Sequence, residues 1–148
     1  MGQLRNSGML KVNKAILDTH AFIWLMQGVR ELSSQNIRKI EDYAHQAALY
    51  ISAISLWEVA MLEKKKRIIL HQPCLQWLTQ SLEVPGLKLE NISPLIAAES
   101  ANLPGEFHGD PVDRLIVATA RSLQAHLITR DSKILHYAQS GHVLCIKI

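Results

Sequence analysis

Short apolar runs recur along this chain, and each is followed by a stretch whose apolar residues fall at helical spacing. Ala15-Ile16-Leu17, Leu49-Tyr50-Ile51, Leu87–Leu89, His126–Thr129 and Val143–Ile146 are strand-length, and Leu49-Tyr50-Ile51 is aromatic and β-branched enough for a buried sheet. Between them the pattern predicts helices over Ala21–Met26, Ser33–Ala47, Ile54–Arg67, Pro73–Leu82, Pro111–Gln124, one opening near Pro94 and a short one after Asp131. Ser33 or Ser34 caps the second, Pro73 sits in the first turn of its helix, and Pro111–Gln124 carries the clearest stripe, Val112, Leu115, Ile116, Thr119 and Leu123. Strands alternating with helices pair in parallel through right-handed crossovers, with helices on both faces. The expectation is a three-layer α/β/α fold around a central, mostly parallel five-stranded sheet.

With 148 residues, no internal repeat and no Pro/Gly/Ser-rich linker, the chain reads as one domain, able to bury about two-thirds of its unfolded surface. The first residues, MGQLRNSGMLKVNK, lack the long apolar segment of a secretion signal, and no run approaches the ~20 apolar residues of a membrane span. A cytoplasmic location follows by default. Cys74 and Cys145 are too few for a disulfide scaffold, and the seven histidines show no metal-binding spacing.

The net charge of +3 permits a polyanionic partner without requiring one. Lys64-Lys65-Lys66-Arg67 is the one concentrated basic run, read first as cations at the carbonyl end of a helix and second as a phosphate contact. Aromatic residues make up only 5%, so stacking surfaces for single-stranded nucleic acid are scarce; Trp24, Trp57 and Trp77 lie in apolar runs and read as core or interface. Leu75, Trp77, Leu78 and Leu82 give one short helix more apolar surface than a monomer readily covers, an argument for self-association weighed against packing on the domain's own core.

In parallel α/β sheets the functional crevice lies beyond the carboxyl ends of the strands, so the acids placed there carry the chemistry. Asp18 ends the first strand and Asp131 follows the fourth; each also suits a helix cap. Glu58 has Ile54, Ser55, Met61 and Leu62 as its helical neighbours, with no cation within a turn, and a carboxylate there is costly unless something pairs with it. Asp110 precedes Pro111 and is the natural N-cap, which leaves Asp113 as the freer carboxylate and Asp110 in a supporting place. Asp18, Glu58, Asp113 and Asp131 thus form an all-oxygen set. Hard ligands without Cys or His favour Mg²⁺, or Mn²⁺ in its place, and suit attack of water on a phosphodiester.

Four segments carry a family resemblance. Ile16-Leu17-Asp18-Thr19-His20, Ile51-Ser52-Ala53-Ile54-Ser55-Leu56-Trp57-Glu58, the stretch Leu103-Pro104-Gly105 to Ala120 with Gly109-Asp110-Pro111-Val112-Asp113-Arg114, and Leu127-Ile128-Thr129-Arg130-Asp131 resemble, in this order, the PIN-domain family and its VapC-like toxins. The resemblance runs from about Lys14 to the last residue, leaving 1–13 as an N-terminal extension and 14–148 as the nuclease domain. It implies a Mg²⁺-dependent endoribonuclease, a homodimer, and a small antitoxin that covers the active site. It also implies that the acidic set falls on Asp18, Glu58, Asp113 and Asp131, with Thr19 as the hydroxyl that supports the first acid. Glu106, between Gly105 and Phe107, lengthens the loop before Gly109.

Two rival readings compete with this one. A phosphotransfer module of the haloacid-dehalogenase kind needs a second Asp where His20 stands, and a receiver domain needs one where Glu90-Asn91 stands. A catalytically silent RNA- or protein-binding PIN module keeps the acids without turnover.

Overall fold

The computed structural model describes residues 13–148. The extension assigned to 1–13 therefore lies, apart from Asn13, outside the described residues. The elements run β1 (Ala15–Leu17), α1 (Thr19–Gln27), α2 (Ser34–His45), β2 (Leu49–Ser52), α3 (Ala53–Lys64), α4 (Cys74–Ser81), β3 (Leu87–Glu90), α5 (Pro94–Ala101), α6 (Pro111–Leu123), β4 (His126–Thr129), α7 (Ser132–Ala138) and β5 (Leu144–Lys147). The five strands form one sheet in the order β3-β2-β1-β4-β5, and every pairing is parallel.

The period-2 alternation of the strands divides the core in two. Ile16, Tyr50 and Leu127 face one side and pack with Ile96, Ile116, Val117, Ile134 and Tyr137 from α5, α6 and α7. Ala15, Leu17, Leu49, Ile51 and Ile128 face the other and pack with Phe22, Ile40, Val59 and Trp77 from α1, α2, α3 and α4. The central strand β1 is wholly buried, whereas the edge strands β3 and β5 are only partly covered, which is why Leu87–Leu89 reads weakly in the sequence. Among the described residues no helix is long and apolar enough to cross a membrane.

Local chemistry sets the helix ends. Ser33 caps α2, accepting from Asn36 N at 3.1 Å, and Asp110 caps α6, accepting from Asp113 N at 2.8 Å, with Pro111 following at the first helical position. Pro73 stands one place ahead of α4 rather than inside it. The helix expected over Ile54–Arg67 stops at Lys64, because Lys66 takes a left-handed conformation (φ 60°) and the N–H of Arg67 returns to Leu62 O. The basic run therefore turns back across the end of α3 instead of extending it. Gly86 has φ +84° before β3, where a Cβ would stand 1.8 Å from Ala44 O.

The structure decides between the alternatives left open for two sets of apolar side chains. Trp57 is 54% exposed on α3 and is no part of the core. The apolar stripe of α4 packs on its own domain: Trp77 is buried edge-on against Phe22, Leu78 and Leu82 pack against the same cluster, and only Leu75 stands out, 78% exposed.

Candidate functional site

The strand order reverses between β1 and β4. β1 leads through α1 and α2 to β2 on one side, whereas the chain reaches β4 on the other side only after β3. The two exits diverge there and leave a crevice at the carboxyl edge of the sheet. A cavity of about 520 Å³ occupies it, and Asp18, Glu58, Asp110, Asp113 and Asp131 all line it, as does Thr19. The topology brings together all four acids of the expected set and both supporting residues.

Asp18 is buried at the end of β1, and both of its oxygens are engaged. Oδ1 accepts from Ala21 N at 2.8 Å and caps α1, while Oδ2 accepts the Thr129 hydroxyl. Burial pushes its carboxyl above the usual range, and those two hydrogen bonds work against the rise. Cap and site are thus the same side chain.

The hydroxyl that supports Asp18 is not the one expected. Thr19 donates instead to Ser55 Oγ at 2.9 Å, both residues buried, and so ties the start of α1 to the helix that carries Glu58. Thr129 supports Asp18, and it also accepts from Asp131 N at 3.0 Å, so one side chain joins the two strand-end acids. Asp131 caps α7, its Oδ1 accepting from Lys133 N at 2.9 Å and Ile134 N at 3.0 Å.

Asp113 occupies the first turn of α6, half-buried. Its pKa rises from 3.8 to about 7, first because burial penalises the charged form, then because Asp110, Asp131, Glu58 and Asp18 repel it. All four of these acids thus act on Asp113, and all five line the one crevice. Gly109 leaves room for this arrangement: a Cβ there would stand 2.3 Å from the Phe107 ring and 3.0 Å from Asp113 Cβ.

Cations also reach the crevice. The Arg130 guanidinium lies 4.7 Å over the Trp24 ring, its Nε donates to the main-chain oxygen of Ile148 at 2.9 Å, and its Nη2 donates to Glu31 O. Trp24, expected in core or interface, is half-buried at the crevice wall beside His20. Arg67 lines the same wall. Arg67 belongs to the basic run whose second reading was a phosphate contact, whereas Thr129, Ser55 and Arg130 stood outside the expected site. The adjacency Thr129-Arg130-Asp131 was the available signal for two of them, because it puts a hydroxyl and a guanidinium beside a strand-end acid.

The donor chemistry of the crevice is carboxylate oxygen. Among the described residues no three acidic, imidazole or thiol groups converge tightly enough to enclose an ion by themselves. A loosely spaced oxygen set still fits Mg²⁺, which keeps several waters and takes one or two carboxylates directly.

The PIN domain family profile matches residues 15–139 of this chain. A curated relative, "Ribonuclease VapC22" of Mycobacterium tuberculosis, is 38% identical over 119 residues, which cover 80% of this chain and 88% of the relative. Among solved structures, a toxin–antitoxin complex from Klebsiella pneumoniae aligns at TM-score 0.55 and 28% identity over 81% of this chain and 88% of that one. A DNA-bound VapBC from Salmonella typhimurium aligns at TM-score 0.66 over 92% and 98%, and at 14% identity it speaks for the fold alone. With its all-parallel sheet and acid-lined β1/β4 crevice, the chain belongs to the PIN-domain family, among its VapC-like members.

Proposed function

We propose that this protein is a Mg²⁺-dependent endoribonuclease, with Mn²⁺ able to substitute, and that it acts as the toxin of a toxin–antitoxin pair. The observation that carries the reading is the gathering of five carboxylates on the wall of one crevice, where burial first, and then the neighbouring acids, raise Asp113 to about 7. A fold keeps such a cluster at a cost in stability, and a cation between the charges removes that cost. The name of the mycobacterial relative and the toxin–antitoxin complex from Klebsiella support the biological part.

Asp18, Glu58, Asp113 and Asp131 are the residues that would hold the ion. When bound, a divalent cation supplies a more acidic water and stabilises negative charge on the leaving oxygen of the phosphodiester. The remaining work belongs to the chain. Thr129 and the N–H of Ala21 fix the Asp18 carboxylate in one orientation. The hydroxyl pair Thr19–Ser55 fixes α1 against α3, and hence Asp18 against Glu58. Asp113, raised to about 7 by burial and by its acidic neighbours, is the carboxylate whose charge a cation in the crevice would relieve most. Asp110 keeps α6 capped so that Asp113 points from a fixed first turn.

The proposed partners are an RNA substrate, a small antitoxin that covers the crevice, and a second copy of the chain in a homodimer. The proposed place of action is the cytoplasm. The purified protein should cut single-stranded RNA with Mg²⁺ or Mn²⁺ and stop on addition of EDTA. Asp18→Asn and Asp113→Asn should each remove nearly all of that activity, since ligands acting as a unit are non-additive. The alternative, a catalytically silent RNA- or protein-binding module, draws on the absence of a preformed three-ligand group among the described residues. RNA that is bound yet uncut at every metal concentration would select it.

A further inference from the structure

The acid-lined crevice presents a substrate problem. Five carboxylates line it against the two arginines Arg67 and Arg130, so an RNA phosphate approaching it meets net negative charge. Arg67 and Ile68 also line a second cavity, of about 590 Å³, which shares that wall. This neighbour is lined by Lys66, Arg67 and His71 and by no carboxylate.

The junction is built, not incidental. The left-handed turn at Lys66 reverses the chain at the end of α3 and brings Arg67 back to the crevice. The loop that follows is fastened to α1, with Gln27 Nε2 donating to Ile69 O at 2.9 Å. Among the described residues no Asp or Glu side chain forms an ion pair with Lys66 or Arg67, so their charge is available to a ligand. Ile69, 72% exposed, adds an apolar surface on the same wall, beside Met26 and Trp77. Cations for phosphates beside an apolar surface for an unstacked base are what a single strand requires.

We propose that the groove lined by Lys66, Arg67 and His71 is the track for the backbone of single-stranded RNA where it leaves the acidic crevice, with Arg67 holding the phosphate at the junction. The proposal rests on the ribonuclease reading above and names the path that the substrate follows beyond the crevice. It gives the basic run a role that its helix-end position alone does not.

The test is binding of a short fluorescent single-stranded RNA to the full chain in EDTA, read by anisotropy between about 50 and about 200 mM salt. Arg67→Gln should weaken binding about fivefold and lower the log–log salt slope by about 0.7, the value of one lost phosphate contact on a single strand. Arg67→Lys should restore both. Lys39→Gln, at an exposed lysine that lines neither cavity, should change neither. With Mg²⁺, Arg67→Gln should raise KM and leave kcat unchanged, since the contact is made equally before and during reaction. A wild-type affinity and slope in Arg67→Gln would overturn the track and leave the groove to a protein partner. The two readings fail separately: absence of cleavage removes the ribonuclease, while the EDTA arm still reads the track.

Discussion

Replacing Asp113 by Asn in the metal-free protein should stabilise the fold at alkaline pH, and the size of the effect follows from the site. A carboxyl raised from 3.8 to about 7 is displaced by about three units. At about 1.4 kcal/mol per unit, keeping it ionised in the fold costs about 4 kcal/mol. Solvent at the crevice mouth screens part of this, so we take about half, or ~2 kcal/mol. Against it stands the favourable position of an anion in the first turn of α6, where the helix dipole contributes about 0.5 kcal/mol. The penalty on the buried, crowded charge wins, and the net gain of about 1.5 kcal/mol corresponds to a rise in Tm of about 5 °C for a domain of this size. The pH dependence has a fixed sign. Because the folded pKa lies above the unfolded one, the carboxyl's contribution to stability is fully present below 3.8 and lost as pH rises through about 7. The advantage of Asn is therefore largest at about pH 8 and fades toward about pH 4. Mg²⁺ should raise the Tm of the wild type in a concentration-dependent way and raise that of Asp113→Asn much less. Thermal melts at both pH values, with EDTA and with Mg²⁺, read every sign. An Asn variant with equal or lower Tm at alkaline pH would show that neither burial nor the neighbouring acids penalise the Asp113 charge, and with no Mg²⁺ shift in the wild type the metal site would fall with it.

Thr129→Val should remove the donor to Asp18 and the acceptor for Asp131 N, costing about 2 kcal/mol in chemical denaturation and most of the nuclease activity, whereas Thr129→Ser should keep both. Asp110→Asn should retain most activity, because Asn also caps a helix, while Asp110→Ala should lower stability by about 1 kcal/mol; an inactive Asp110→Asn beside an active Asp113→Asn would reverse the roles given to these two acids. Gly109→Ala should cost about 1–3 kcal/mol, since its methyl group meets the buried Phe107 ring and Asp113 Cβ. Sedimentation at micromolar concentration should show a dimer, and a clean monomer there would remove the homodimer from the proposed function.

Much of this protein is written locally. Strand and helix periods, the caps at Ser33 and Asp110, and the parallel order of elements depend on neighbours within a few residues, so the sheet and the carboxyl-edge position of Asp18 and Asp131 follow from reading along the chain. Glu58, costly among its apolar helical neighbours, and Asp113, left free by the Asp110 cap, are also legible locally, and the fold places both in the same crevice. What the chain could not disclose is which side chain meets which across the fold. Thr19 and Thr129 are both hydroxyl residues beside a strand-end acid, yet the one that binds Asp18 is 111 positions away. Trp57 and Trp77 both sit in apolar runs, and only packing leaves the first exposed and buries the second. Lys64 to Arg67 reads as the end of a helix until one left-handed residue turns it back. The physical reason is common to all three. Backbone periodicity is a local property, whereas a buried hydrogen bond, a covered ring or a charge at a cavity wall exists only when distant segments are brought together by the packed core.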